Sequence, residues 1–163
     1  MRWLQLKIYA VEDVPKKHII EFFSLHWGSP QMVISSGVYD CSTLDGFAIL
    51  NENAQIIGLI TYILEDNECE IISLDSIEEG KGIGTSLVQA VETLATEKNC
   101  TRIKLITTND NLFALKFYQK RGYVLSRILN NAVEQARKIK PEIPVIGHDG
   151  IPIRDEIELL KVL

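Results

Sequence analysis

A cluster of glycines constrains this chain more than any other feature of its sequence. Gly80, Gly82 and Gly84 fall within five residues of the segment EEGKGIGTSLV (78–88). Glycine inside a regular element costs about 0.5–1 kcal/mol relative to alanine, so a cluster indicates a tight turn or a close approach to the backbone. The preceding segment CEIISLDSI (69–77) is typical of a buried strand. The glycines therefore predict a turn between a strand and the element that follows.

That following element is a helix of about four turns. Its apolar residues recur every three or four positions, which is the helical period, at Ile83, Leu87, Val91 and Leu94. The helix begins near Gly82, where its first N–H groups are unpaired and carry partial positive charge. Because glycine has no Cβ to keep a ligand away, we predict a bound phosphate over residues 80–85. A tight corner without a ligand is the alternative, and neither G-x-G-x-x-G nor the P-loop motif is present.

The rest of the chain alternates between strand and helix patterns. Strands are predicted over 4–11, 31–40, 46–52, 54–65, 69–77, 101–108, 123–129 and 156–163, and helices over 16–27, 82–97, 111–122 and 131–140. The order is antiparallel strands followed by strand–helix–strand–helix–strand. This order predicts an α/β fold in which a mixed, mostly antiparallel central sheet has helices on both faces. The length of 163 residues suits one domain, 1–163.

Composition excludes several classes of function. The net charge of −5 argues against a nucleic-acid binder. The longest nearly apolar run, 56–64, is too short to span a bilayer, so we expect no membrane partner. Three distant cysteines, Cys41, Cys69 and Cys100, give neither a disulfide framework nor metal spacing. We therefore expect a reduced, cytoplasmic protein without a metal.

A second motif follows the glycine turn. Residues 111–123 read N-x-x-A-x-x-F-Y-x-x-x-G-Y. Together with the turn, this motif resembles the GNAT superfamily of N-acetyltransferases, whose phosphate signature is [Q/R]-x-x-G-x-[G/A]. Here that signature is 79–84, with Glu79 in place of glutamine or arginine. The resemblance covers roughly 46–123, and the tail is similar to uncharacterised bacterial members of the superfamily.

The resemblance implies a cosubstrate, acetyl-CoA, and a fold in which the fourth and fifth strands of the family splay apart to hold it. The implied main-chain contacts to the pantetheine arm come from Ile72, Ser73 and Leu74, with the Leu74 amide on the thioester carbonyl. The implied phosphate contacts come from Glu79, Gly80, Lys81, Gly82, Ile83, Gly84 and Thr85. Asn111 matches a cofactor-contacting asparagine. The alternative is that Asn111 is simply the N-cap of the helix that follows. Asn109 or Asp110 could also cap that helix, which would leave Asn111 to the cofactor.

Catalytic roles follow the same resemblance. Tyr118 matches the tyrosine that protonates the departing thiolate, although an amphipathic core tyrosine is the alternative. The amine must lose a proton before it attacks. Some family members place a glutamate on this strand, and Glu68 and Glu70 share one face of it, so both are candidate bases. The alternative is that both glutamates are solvated at the end of a hairpin and that a chain of water molecules accepts the proton.

The acceptor is the least determined part of the site. By resemblance, the end of the first helix borders the acceptor pocket, which makes His26 and Trp27 candidates for substrate contact. His148 and Arg154, in the proline-rich segment before the last strand, are further candidates for substrate contact because long irregular loops are often functional. A capping or packing role for His26, and a solvated loop for the tail residues, are the alternatives. The predicted activity is direct acetyl transfer to a primary amine of a small molecule or peptide, with a homodimer possible. The alternatives are a non-catalytic acyl-CoA-binding sensor or partner module, and a fold relic that binds no nucleotide.

Overall fold

The computed structural model describes residues 6–78 and 80–163. The strand predicted over 4–11 is therefore described only in part, as β1. Glu79, predicted to contact phosphate, lies outside the described residues.

Nine strands, four α-helices and three short 3-10 helices account for the regular structure of the described residues. The strands are β1 (Ile8–Ala10), β2 (Gln31–Ile34), β3 (Gly37–Asp40), β4 (Asp45–Leu50), β5 (Ile56–Glu65), β6 (Glu68–Ser76), β7 (Arg102–Thr108), β8 (Val124–Leu129) and β9 (Glu156–Val162). The helices are α1 (Lys16–Trp27), α2 (Ile83–Glu97), α3 (Leu112–Gln119) and α4 (Ala132–Ile139).

Seven of these strands form one sheet in the order β1-β4-β5-β6-β7-β9-β8. Neighbouring strands run antiparallel except β6 and β7, which are parallel. A parallel pair needs a crossover connection, and α2 supplies it. The mixed, mostly antiparallel sheet that was predicted from the order of elements is confirmed.

Two apolar cores lie on the two faces of the sheet. On one face, Phe23 of α1 packs with Leu59 of β5 and both are fully buried. On the other face, Leu87 and Val91 of α2 pack with Ile60. Consecutive residues of β5 thus serve opposite cores, as the alternation of side chains along a strand requires. We call these the α1 face and the α2 face.

The prediction of one continuous strand over 31–40 is wrong. The segment is a hairpin in which β2 pairs with β3 from Gln31↔Asp40 to Ile34↔Gly37, outside the main sheet. The sequence Ser35-Ser36-Gly37 supplies turn residues at the bend. Lys140, just after α4, donates a hydrogen bond of 2.7 Å from Nζ to the carbonyl oxygen of Gln31. The hairpin is therefore tied to the C-terminal end of α4.

The parallel strands β6 and β7 separate halfway along their length. Their pairing runs from Glu68↔Arg102 to Ile71↔Leu105 and stops there. Beyond that point β6 stays paired with β5, and β7 stays paired with β9. The register of β5 and β6 shifts at the same place, because Tyr62 pairs with Ile71 while Thr61 pairs with Ser73. This bulge at Ile72 and the loss of pairing confirm the predicted splay.

Among the described helices, none is long and apolar enough to cross a membrane.

Candidate active site

The glycine turn leaves main-chain donors open at the start of α2. Gly80 and Gly82 adopt left-handed conformations, with φ of 77° and 69°, and a Cβ at either position would meet nothing within 4 Å. Gly82 is the N-cap and makes no side-chain capping bond. Within the described part of the chain, no protein atom accepts a hydrogen bond from the amides of Ile83, Gly84 or Thr85. The first turn therefore has the geometry that binds an anion.

A cation that was not predicted from the sequence lies beside this turn. Arg121 Nε donates to Thr85 Oγ1 at 3.1 Å, and its Nη1 donates to the carbonyl oxygen of Phe117 at 2.8 Å. The guanidinium stacks 3.7 Å from the centroid of the Phe117 ring. Lys81, by contrast, pairs with Glu78 at 2.6 Å. Thr85 and Arg121 are 36 residues apart in the chain, so no local pattern links them.

Main chain from Ile72 to Leu74 borders the gap between β6 and β7. The Ile72 side chain is buried on the α1 face, and that of Leu74 packs on the α2 face. Ser73 Oγ lies 2.5 Å from Thr61 Oγ1 of β5. On the side facing β7, these residues have no strand partner. Their backbone is thus available to an extended ligand that lies in the gap.

Asn111 is itself the N-cap of α3, and its Oδ1 accepts a hydrogen bond of 3.1 Å from the Ala114 amide. The suggestion that Asn109 or Asp110 caps this helix is therefore wrong. Those two side chains instead bind the tail: Asn109 Oδ1 accepts from the Asp155 amide at 2.9 Å, and Asp110 Oδ2 accepts from the His148 amide at 3.0 Å. They hold the proline-rich segment against the end of β7.

Tyr118 of α3 is only 5% exposed. Its ring packs edge-on against Phe117 and Tyr123, with centroids 5.1 and 5.3 Å apart. Its hydroxyl has no hydrogen-bond partner among residues 6–78 and 80–163. Burial raises the pKa of Tyr118, so the hydroxyl carries its proton at neutral pH. It is a proton donor without a protein acceptor.

The two glutamates of β6 occupy different surroundings. Glu70 is buried and accepts a hydrogen bond of 2.8 Å from Ser36 Oγ in the β2–β3 turn. Burial raises the pKa of Glu70, and the hydrogen bond from Ser36 opposes part of that rise. Glu68 forms ion pairs with Arg102 and Lys104, where β6 and β7 are still paired. Glu70 lies one residue before the last paired position of β6 and β7, Ile71↔Leu105.

The end of α1 meets the end of β6. Trp27 Nε1 donates a hydrogen bond of 3.0 Å to Asp75 Oδ1, while the exposed His26 packs against Phe22 with ring centroids 4.6 Å apart and the rings tilted by 50°. Asp75 Oδ2 is buried without a partner among the described residues. Burial raises the pKa of Asp75. Trp27 and Asp75 therefore lie together near the end of β6, beyond the point where β6 and β7 separate.

The two candidate residues of the proline-rich segment, His148 and Arg154, lie in different surroundings. His148 is exposed and lines a cavity beside the end of β7. The guanidinium of Arg154 pairs with Asp155 at 3.0 Å, and this contact lowers the pKa of Asp155. Arg154 is not among the residues that line the cavity. A buried carboxylate that does line it, Glu156 of β9, was not singled out from the sequence, since it reads as one polar residue of an alternating strand.

The cysteines offer no nucleophile. All three are free and buried. Burial raises the pKa of the Cys69 thiol to about 12 and that of Cys41 to about 11. A thiol of such pKa is protonated at neutral pH and reacts slowly. In the part of the chain that the structure describes, no cluster of three His, Cys, Asp or Glu side chains is suited to a metal ion.

Comparison with known proteins identifies the family to which the chain belongs. The model of the acetyltransferase (GNAT) family matches residues 16–123. The chain is 61% identical over 158 residues to the uncharacterized protein YxbD of Bacillus subtilis (strain 168). The matched residues cover 97% of this chain and 99% of that protein.

Two solved structures share the fold. One is the IAA acetyltransferase of Bacillus cereus ATCC 14579, with a TM-score of 0.74 and 20% identity over 98% of this chain and 100% of that one. The other is a GNAT family acetyltransferase of Elizabethkingia anophelis with acetyl-CoA bound, with a TM-score of 0.69 and 20% identity over 97% of this chain and 98% of that one.

Proposed function

Because the chain belongs to the acetyltransferase (GNAT) family, we propose that it transfers an acetyl group from acetyl-CoA directly to a primary amine. The observation that carries this proposal is the gap between β6 and β7, which opens where the pairing stops after Ile71↔Leu105. It lies beside the uncapped start of α2. A thioester with a diphosphate tail fits these two features at once.

Main chain holds most of the cosubstrate in this proposal. The amides between Gly80 and Thr85 bind the pyrophosphate, and Arg121 adds a positive charge beside them. The backbone of Ile72, Ser73 and Leu74 pairs with the pantetheine arm in the gap. The Asn111 side chain keeps its amide nitrogen for the cosubstrate, because its oxygen is already engaged by Ala114. The backbone contacts place little demand on side-chain identity, which accommodates the unusual residue at position 79.

Acetyl-CoA would supply the acetyl group as a thioester. Glu70 takes one proton from the bound ammonium, and the resulting amine attacks the carbonyl carbon. The Leu74 amide donates a hydrogen bond to the carbonyl oxygen, on which charge develops. As the carbon–sulfur bond breaks, the Tyr118 hydroxyl donates its proton to the leaving sulfur. The new amide nitrogen releases its second proton to water, so protons balance.

An acetylation assay that reports free thiol tests this function. A panel of amines and acetyl-CoA are supplied to the wild-type protein and to Tyr118→Phe, while calorimetry measures the binding of CoA. Transfer to some amine that is strongly slowed by the substitution supports the proposal. CoA binding without transfer to any amine would instead support the non-catalytic acyl-CoA-binding module.

A further inference from the structure

A cavity of about 470 Å³ lies between the β2–β3 hairpin, the end of β7, α4 and the segment 143–153. Its wall is mostly apolar, with Met32 from the hairpin, Val133 from α4, and Ile143 and Ile153 from the segment. The volume lies within the range of about 300–1,000 Å³ that is usual for small-molecule sites. A cavity of this size and lining suits a small organic body better than a folded protein surface.

Two buried carboxylates, Asp110 and Glu156, interrupt the apolar wall. Both oxygens of Asp110 are engaged, by the Thr108 hydroxyl and the His148 amide, and the ammonium group of Lys140, which also lines the cavity, donates to the carbonyl oxygen of Gln31. Glu156 is 1% exposed, and its Oε1 accepts the Ser35 amide at 2.9 Å as well as the Ser35 hydroxyl. Its Oε2 has no hydrogen-bond partner within the described ranges 6–78 and 80–163. No lysine, arginine or histidine of those ranges pairs with it either. The cavity therefore offers to a positive group a carboxylate oxygen that has no partner among the described residues.

The same hairpin turn links this carboxylate to the proposed base. Ser35 binds Glu156 of β9, and the next residue, Ser36, binds Glu70 of β6. The two carboxylates therefore lie on either side of β7, under one turn. Among the lining residues, Pro144 and His148 are exposed, whereas Glu156 is buried. A cation at Glu156 would thus lie beneath the same turn that binds Glu70.

We infer that this cavity is the acceptor site, that it binds a primary amine on an apolar body, and that Glu156 receives the ammonium group. The inference rests on the proposed function, because it names the substrate class of that reaction. The apolar part lies against α4 and the segment 143–153. Glu156 is a specificity-determining residue, whereas Glu70 removes the proton.

Selectivity of the wild-type protein tests the inference without any variant. In a series from n-propylamine to n-octylamine, kcat/KM rises about fourfold per methylene until the cavity is filled. Ethanolamine reacts much more slowly than n-propylamine, because its hydroxyl is buried among apolar side chains. Glycine is rejected because its carboxylate meets Glu156. Equal rates along the series, or preference for lysine-containing peptides over every alkylamine, would overturn the inference.

Three variants separate charge recognition from support of the hairpin. Glu156→Gln keeps an oxygen for the Ser35 amide and loses the charge, so KM for n-hexylamine rises about tenfold or more while KM for acetyl-CoA is unchanged. Ser35→Ala keeps the charge and loses one bond to the hairpin, so KM for n-hexylamine changes little. Glu142→Gln removes an exposed charge next to Ile143 and controls for long-range attraction. Equal effects of Glu156→Gln and Ser35→Ala would show that Glu156 only anchors the hairpin.

Calorimetry of n-hexylamine with the CoA-loaded protein keeps this inference distinct from the proposed function. Binding that is lost in Glu156→Gln supports the cavity even where no amine is acetylated, and the transferase proposal alone then fails. Transfer that is confined to hydrophilic amines supports the transferase and overturns the cavity. If Glu156→Gln does not fold, the alkylamine series decides.

Discussion

Ser36 donates a hydrogen bond of 2.8 Å to Glu70, across 34 residues of sequence. The contact joins the β2–β3 turn to β6 at the point where β6 leaves β7. Burial raises the pKa of Glu70, while this hydrogen bond and Lys104 lower it and Glu158 and Glu65 raise it further. The turn therefore positions the proposed base, and its hydrogen bond offsets part of the rise in pKa that burial causes.

The pH dependence of the reaction follows from this contact. Because Glu70 must be deprotonated to act, kcat/KM for n-hexylamine should rise with pH through a pKa above the ordinary value of 4.5. Ser36→Ala removes the hydrogen bond that favours the carboxylate, so the acid limb of the pH profile moves to higher pH. Ser42→Ala, at a half-buried serine whose hydroxyl donates to Asp40 and not to Glu70, is the control. An acid limb that stays in place in Ser36→Ala would contradict this assignment.

Deprotonation of Glu70 should lower the stability of the fold, although it is required for activity. Its folded-state pKa is raised, so the native state binds the proton more tightly than the unfolded chain, and stability falls as pH rises from 4.5 through the raised pKa. Glu70→Gln should therefore unfold at the same or a higher urea concentration at pH 7. The same variant should lose about 10²–10⁴-fold in kcat. Loss of stability together with activity would point to a structural role.

Tyr118→Phe should slow turnover without weakening the fold or the binding of CoA. The hydroxyl has no partner among the described residues, so its removal should change the free energy of unfolding by only about 0.5 kcal/mol. Loss of the proton donor should lower kcat about 10²-fold or more. Steady-state kinetics and calorimetry measure the two effects. A kcat that is unchanged at both low and high pH would exclude the acid role.

A matched pair of glycine substitutions tests whether phosphate binds the open amides at the start of α2. Gly82 and Gly150 both have positive φ, 69° and 74°, and open space at the Cβ position. Either Gly82→Ala or Gly150→Ala should cost about 1 kcal/mol of stability through backbone strain. Only Gly82→Ala should raise the Kd of CoA, by about tenfold or more, because the methyl group stands where the phosphate approaches. Equal Kd values in the two variants would place the phosphates elsewhere.

Arg121 should matter to CoA through its charge. Arg121→Gln removes a cation from beside the first turn of α2 and should raise the Kd of CoA about five- to tenfold, most strongly at low salt. Lys120→Gln removes an equal charge from the exposed neighbouring position and should leave the Kd near the wild-type value. Calorimetry at two ionic strengths measures both. Similar losses in the two variants would indicate general attraction rather than a contact.

Local patterns predicted the sheet, the four helices and the glycine turn, because these depend on periodicity and on glycine chemistry within a few residues. The splay of β6 and β7 came only from the family resemblance. The cap at Asn111 was uncertain because Asn109, Asp110 and Asn111 are chemically similar and tertiary contacts decide their partners. The roles of Glu156 and Arg121 were missed because their partners, Ser35 and Thr85, lie 121 and 36 residues away.

A crystal structure with CoA bound would show directly where the cosubstrate lies. The pyrophosphate should accept hydrogen bonds from amides between Gly80 and Thr85, and the pantetheine arm should lie between the separated ends of β6 and β7. Pyrophosphate bound away from the start of α2, or a pantetheine arm outside that gap, would contradict this prediction.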